Sequence, residues 1–384
     1  MSNYVSSYIQ KLCAIEDPYK DYYSSEMELL FKQAMAENLE LHRRALPFFD
    51  ELLKNSSCQS DCQSGRYNGN LEKIPYILAN FFKRHSLLSI PKEEVFMHLT
   101  SSGTTGQKSQ MFFDRWSIES AQKMVDRIFK YYGWITPNNP CNYLLFAYEP
   151  QVDKTLGTAY TDNYLCKYAP TKRVTHALKH IGNGEYRFDW SGSIHAIAEY
   201  AHEGIPVRIL GFPAFLYFML KRMKELNSPR YQLPSESLVF LGGGLKGHSN
   251  ETISKEELYA SIEEWLGIPN SRIRDGFGSV EHCIPYIECE HHHFHIPVWS
   301  RVLIRDLKTL EPLPSGQAGF LQLISPYITS VPAMSVLMSD LASWYPATAC
   351  ACQVGTPYFV IHGRAGISKN RSCAIAAAEM LQHE

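Results

Sequence analysis

Residues 99–110 read L-T-S-S-G-T-T-G-Q-K-S-Q. Within them, Ser101, Ser102, Gly103, Thr104, Thr105, Gly106 and Lys108 crowd four hydroxyls, two glycines and a lysine into eight positions. Upstream, Glu94 to Leu99 (E-V-F-M-H-L) alternates loosely and carries Val and Phe, as a strand does. Downstream, Trp116 to Lys130 has the apolar spacing of a helix. A strand, a Gly/Ser/Thr loop and a helix in that order can hold phosphate. Glycines let the backbone approach, its N–H groups point inward, and hydroxyls and a lysine add donors. The Walker spacing G-x-x-x-x-G-K-[ST] is absent. A flexible connection is the alternative, and the rest of the chain decides between them.

The chain has 384 residues, 45% hydrophobic and 12% aromatic, which is enough for one large or two medium domains with a sizeable core. A formal net charge of -2 gives no sign of a nucleic-acid binder or an acidic tail. Ten cysteines without regular spacing suit reduced thiols better than a disulfide framework. No basic, then apolar, leader opens the chain, and the most apolar stretch, Ile209 to Leu220, is too short to span a bilayer. The expectation is a soluble cytoplasmic protein without a membrane span.

Residues 1 to about 55 read as helical, Met27 to Leu53 most clearly, and Cys58 to Asn70 as a surface loop. Ile74 to Phe82 leads into the first strand. Tyr143 to Tyr148, Val207 to Leu210 and Ser237 to Leu241 read as strands. Ser193 to Glu203 and Ala214 to Leu226 read as helices. This alternation argues an α/β class with a largely parallel sheet. After about Phe294, Val298 to Asp306, Gly319 to Ile324 and Tyr358 to Ile361 read as strands separated by Pro/Gly turns, an antiparallel subdomain. Phe212 and Pro213 sit between a strand and an apolar helix. They form either a wall for an apolar substrate or a buried turn.

Four further pieces carry chemistry. Gly242, Gly243 and Gly244 follow a strand directly, where backbone can lie flat against a ligand or simply turn. In Asp275 to His282 (D-G-F-G-S-V-E-H), Phe277 and Gly278 offer a ring to stack on a base, and Glu281 a carboxylate for Mg²⁺. Asp340 could accept hydrogen bonds from ribose hydroxyls, or be a solvated acid at a strand end. Arg364 could reach ribose or phosphate, or be an ordinary surface arginine. A dense run, C-I-P-Y-I-E-C-E-H-H-H-F-H, holds Cys283, Cys289, His291, His292, His293 and His295. It could bind Zn²⁺ or form a polar strand edge. On a strand, His291 and His293 could share a site while His292 could not.

In this order the pieces resemble the adenylate-forming enzymes, over about residues 70 to 375. Thr100 to Lys108 is similar to their phosphate loop, Gly242 to Gly244 to the adenine turn, and Phe277 to Glu281 to the aromatic-Gly-x-x-Glu element. Asp340 matches the ribose-binding acid and Arg364 the hinge arginine. Ile74-Pro75, Phe82-Lys83, T-S-S-G-T-T-G-Q-K-S-Q and a late G-R-x(8)-C more narrowly resemble the LuxE-type long-chain fatty acyl-protein synthetases. These belong to the fatty acid reductase system of bacterial bioluminescence; phenylacetate-CoA ligases are more distant relatives.

The resemblance implies the N-terminal domain fold of acyl-CoA synthetases over residues 1–363, with 1–70 its helical beginning. A short tail, 364–384, would carry Cys373. Only 20 residues follow Arg364, against the ~50 at which domains usually start, so the mobile C-terminal domain is expected to be lacking. The loop also departs from the wider superfamily, with Gly106-Gln107-Lys108-Ser109 in place of Gly-x-Pro-Lys. The resemblance implies ATP and Mg²⁺ as cofactors and a fatty acid as substrate. Lys108 would be a catalytic cation and Cys373 the acyl acceptor. The partner would be an acyl reductase or another acyl-accepting protein. Lys369 and Arg371 would lower the Cys373 pKa. The nine residues from Arg364 to Cys373 span at most ~30 Å, enough to swing the thiol between two sites. A phenylacetate-CoA-ligase-like enzyme that charges CoA or a carrier is the alternative. A non-catalytic scaffold for a reductase is a third, against which Gly103, Phe277, Glu281, Asp340 and Arg364 stand together.

Overall fold

The structure, a computed structural model, describes residues 7–54, 70–100, 109–150, 164–243 and 254–365. Its strands, in chain order, build two sheets and a hairpin. β1 is Ile77–Leu78, while β2 (Met97–Thr100) and β3 (Gln110–Phe113) form the hairpin. A seven-stranded sheet then takes β4 (Cys141–Tyr148), β5 (Thr171–Gly182), β6 (Glu185–Phe188), β7 (Val207–Gly211), β8 (Leu238–Gly242), β9 (Ile273–Phe277) and β10 (Tyr286–Ile287). Its order is β10-β9-β8-β7-β4-β5-β6, parallel from β9 to β5 with an antiparallel strand at each edge. The remaining strands are β11 (Phe294–His295), β12 (Arg301–Arg305), β13 (Gly319–Ile324), β14 (Ser335–Tyr345) and β15 (Tyr358–Arg364). They pair antiparallel as β11-β15-β14-β13-β12. β1 joins β14 in parallel, so this sheet is not purely antiparallel as expected.

Burial explains the central strands. Tyr143, Leu145 and Ala147 of β4 face one core, shared with Met124, Ile128 and Phe129 of the Arg115–Tyr131 helix. Leu144 and Phe146 face the other, shared with the Trp190–Glu203, Pro213–Glu225 and Lys255–Leu266 helices. A parallel strand covered on both faces reads as a continuous apolar run rather than an alternating one. No described helix is long and apolar enough to cross a membrane.

One local expectation is corrected. The Ser/Thr/Gly loop does not run straight into a helix, because β3 follows it. Thr100 and Gln110 are paired across the hairpin, so the loop is closed at its base by a strand pair. Only then does Asp114 cap the next helix, accepting from the Ser117 N–H at 2.6 Å. The loop's own residues, Ser101, Ser102, Gly103, Thr104, Thr105, Gly106 and Lys108, lie outside the described residues.

The N-terminal helices pack into the same core as the second sheet. Ser24 caps the Ser25–Ala45 helix, with Glu26 and Glu28 in its first turn and Arg43 and Arg44 in its last, matching its dipole. Two polar residues on its buried face tie it to the 326–330 segment. Asn38 Nδ2 donates to the carbonyls of Pro326 and Ile328, each at 2.8 Å. His42 meets the Ser89 hydroxyl at 2.6 Å through Nδ1 and the Ile328 carbonyl at 3.2 Å through Nε2.

Burial pushes His42 down to about 4. An unfolded histidine near 6.5 therefore binds its proton first on acidification, and stability falls as pH drops from 6.5 toward 4. The share due to His42 is on the order of 3 kcal/mol. Urea unfolding of wild type and His42→Gln at pH 7 and pH 4.5 checks this: the wild type should lose more stability than the variant, and equal losses would refute it.

Candidate active site

The carboxyl edge of the parallel strands provides a floor almost bare of side chains. Register pairs Gly211 with Leu241 and Gly242 with Gly276, so the ends of β7, β8 and β9 lie side by side. Gly211 has φ +117°, and a Cβ there would sit 2.4 Å from the Phe146 carbonyl oxygen, so only glycine fits. Gly243 has φ +92°, and a Cβ there would meet the Phe212 ring at 3.2 Å. Phe212 is itself buried, 6.0 Å from the Tyr148 ring centre and 6.3 Å from that of Phe215; Pro213 is buried beside it. Both residues thus form the interior of a strand-to-helix turn. Gly244 lies outside the described residues.

The segment after β9 folds over this edge toward the second sheet. Phe277 is half-buried, with its ring centre 6.2 Å from Tyr286, 6.1 Å from Phe294 and 5.7 Å from Phe359. Gly278 is exposed. The Glu281 carboxylate is buried and accepts from the Ser279 hydroxyl at 2.9 Å. Ser279 also lies 3.9 Å from Met338 Sδ, two residues before Asp340 on β14. One hydroxyl therefore links the carboxylate-bearing loop to the strand that carries the second acid.

Asp340 is 2% exposed and sits within β14, so it is neither solvated nor at a strand end. Its register partner is Arg364, the last residue of β15, whose Nε donates to Asp340 Oδ1 at 3.1 Å. The structure thus couples two residues that the sequence reading treats as separate. The Arg364 side chain is about half exposed, so the pair presents a cationic plane to solvent over a buried carboxylate. The arginine thereby fixes the orientation of the Asp340 carboxylate. Gly242–Gly243, Phe277–Glu281 and Asp340–Arg364 together come from both sheets and meet along their seam. Cys373 lies outside the described residues, like the Ser101–Lys108 loop.

Glu281 suits Mg²⁺ in the way that ion binds beside nucleotides, through one or two carboxylates with phosphate oxygens and water completing the shell.

Behind Phe277 lies an ion network that the sequence reading missed. Lys255 bonds to the fully buried Glu288 and lies 3.8 Å from Asp275. Glu288 also accepts from the Asp275 N–H at 2.8 Å and the Tyr259 hydroxyl at 3.1 Å. Burial, with the Glu288 charge added, pushes Asp275 up to about 7. Burial also pushes Glu288 up, but His292 and Lys255 outweigh it and hold the carboxyl below its ordinary value. Lys255 and Glu288 are 33 residues apart, and no local pattern marks them as partners.

The chain matches the family described as "Acyl-protein synthetase, LuxE" over residues 2–382. Two relatives are named long-chain-fatty-acid–luciferin-component ligase. The one from Aliivibrio fischeri is 25% identical over 295 residues, 75% of each chain. The one from Vibrio harveyi is 26% identical over 280 residues, 70% of this chain and 68% of its own. Among solved structures, 2-hydroxyisobutyryl-CoA ligase with 2-HIB-AMP and CoA in the thioesterification state is similar with a TM-score of 0.64 and 13% identity. That likeness covers 92% of this chain and 70% of the ligase. Its open conformation gives 0.60 over 89% and 75%. These likenesses carry the fold, which is the adenylate-forming one expected. The chain belongs to the LuxE acyl-protein synthetase family and is a ligase.

Glu288→Gln would leave the Lys255 cation facing a neutral amide. Because Lys255 is partly exposed, the cost should fall at the lower end of that for breaking a buried pair, about 3 kcal/mol. The urea midpoint of the variant measures it; a midpoint equal to wild type would show the network to be dispensable.

Proposed function

We propose that this member of the acyl-protein synthetase family activates a long-chain fatty acid with ATP and transfers the acyl group to Cys373. The thioester then serves a partner, an acyl reductase or another acyl-accepting protein. The observation that carries the reading is the seam itself. A glycine floor, a half-buried aromatic ring, a buried carboxylate and an Asp–Arg pair converge there, as binding of a nucleotide requires.

A fatty carboxylate is a poor acyl donor because its leaving group would be oxide. One carboxylate oxygen attacks the α-phosphorus of ATP, the bond to the bridging oxygen breaks, and pyrophosphate leaves. The product is a mixed anhydride whose leaving group is AMP. The glycine floor and Phe277 would seat the adenine, and Asp340, oriented by Arg364, would accept hydrogen bonds from the ribose hydroxyls. The Ser101 to Lys108 loop would donate to the departing phosphates. Mg²⁺ held by Glu281 would supply charge compensation at those phosphates. The Cys373 thiolate then attacks the acyl carbon, a C–S bond forms, and AMP departs with the C–O electron pair.

Intact-mass measurement after incubation with ATP, Mg²⁺ and fatty acids of graded length tests the whole sequence. An acyl-mass adduct, removed by hydroxylamine and missing from Cys373→Ser, is expected. The variant should keep fatty-acid-dependent ATP–pyrophosphate exchange. Glu281→Gln should lower that exchange by about 100-fold or more, the size expected when one preorganised charge contact is lost. Exchange without any adduct, and AMP release only when CoA or a carrier is added, would replace Cys373 by an external thiol.

A further inference from the structure

One residue beyond Glu288, three sulfurs and an imidazole nitrogen converge. They belong to Cys289, Cys350, Cys352 and His295, and their ligand atoms all lie within 4.8 Å of one another. Cys289 Sγ is 3.7 Å from Cys350 Sγ, which is 3.2 Å from Cys352 Sγ, which is 3.1 Å from His295 Nε2. The thiols are not joined in disulfides. A tetrahedral zinc with Zn–S bonds near 2.3 Å separates its ligand atoms by roughly 3.7 Å, so the spacings of 3.1 to 3.7 Å lie at or slightly inside that geometry. We infer that Cys289, His295, Cys350 and Cys352 form a structural Zn²⁺ site of the Cys₃His type.

The surroundings fit the same reading. His295 Nδ1 meets the Thr356 carbonyl at 2.8 Å, and only its N–H tautomer can donate there. That leaves the Nε2 lone pair directed at the sulfurs, the arrangement by which a backbone carbonyl fixes a ligating histidine. The His291 N–H points at Cys289 Sγ at 3.4 Å, and the Val354 N–H donates to the Cys352 sulfur. Each donor lies two residues past its cysteine and stabilises a thiolate. His293 Nδ1 approaches Cys350 Sγ at 3.1 Å while its ring stacks on Tyr358 at 4.1 Å, so it supports a ligand. Four protein ligands leave no open position, which makes the site structural and not catalytic. Soft thiolates with one imidazole in a tetrahedron favour zinc over the oxygen-seeking Mg²⁺ and Ca²⁺. Binding releases three thiol protons, so affinity should weaken on acidification.

The site also corrects the sequence reading of this region. Residues 289–293 form a turn and not a strand, so alternation of faces does not sort their histidines. Cys283 is elsewhere, donating to the Val280 carbonyl. His292 faces Glu288 and Asn270. The missing half of the ligand set is Cys350-Ala351-Cys352, about 60 residues downstream, between β14 and β15. Zinc would therefore pin the β10–β11 connection to the β14–β15 connection.

The test is metal content of the full chain, purified without chelators from zinc-supplemented cells, by inductively coupled plasma mass spectrometry. One zinc per chain is expected in wild type and in the control Cys166→Ser, with loss to background in Cys289→Ser and Cys352→Ser. Replacement by Co²⁺ should give the thiolate-to-cobalt charge-transfer absorption and the intense visible bands of a tetrahedral centre. Zinc-free wild type, iron in place of zinc, or full zinc retention in both cysteine variants would overturn the proposal. If the variants fail to fold, the wild-type content and the cobalt spectrum still decide. None of these readings depends on acyl transfer.

Discussion

The packing of four aromatic rings across the two sheets is the contact on which the rest depends. Phe277 comes from β9, Tyr286 from β10, Phe294 from β11 and Phe359 from β15, with neighbouring ring centres 5.0 to 6.2 Å apart. Each such pair contributes about 0.5–1.5 kcal/mol beyond its area burial, and the rings bury large surfaces besides. The Asp340–Arg364 pair joins neighbouring strands of one sheet beside that junction, and its arginine is half exposed, so its own contribution is about 1 kcal/mol or less. Apolar packing therefore sets where the sheets meet. The ion pair refines how groups at that boundary are oriented.

Much of the architecture was legible because burial writes itself into composition. β4, β7 and β8 are covered on both faces, and their apolar runs identified them. β5 was missed because its first three residues are polar and all of its first four are exposed, so no apolar run marks its start. The Asn183-Gly184 pair beyond it, both with positive φ, was the usable signal for the β5–β6 hairpin. β9 was not identified as a strand because Asp275 and Gly276 are poor strand formers. The parallel neighbour β8 overrides that preference, and a Cβ at position 276 would lie 2.7 Å from the Phe240 ring.

The site was legible in its residue types and not in its couplings. Gly242, Gly243, Phe277, Glu281, Asp340 and Arg364 were all singled out. That Arg364 holds Asp340 depends on an antiparallel register between residues 24 apart. The Lys255–Glu288 pair and the Cys₃His cluster are likewise products of topology. Their partners are distant in sequence, and each half looks unremarkable alone. Phe212 and Pro213 show the converse: a suggestive dipeptide at a strand end turned out to be buried among the rings of Tyr148 and Phe215.

The Asn38 bond to the Pro326 carbonyl joins residues 288 apart. During synthesis at roughly 5–20 residues per second, its acceptor emerges about 15 to 60 s after its donor. The Ser25–Ala45 helix must wait through that interval with Phe31, Met35 and Leu39 lacking their final cover. The amino-terminal helices are then among the first segments made and are seated only once residues 326–328 have emerged. Nascent chains would need shielding at this face, so translation speed and holdase supply bear on yield as directly as does the stability of the finished fold.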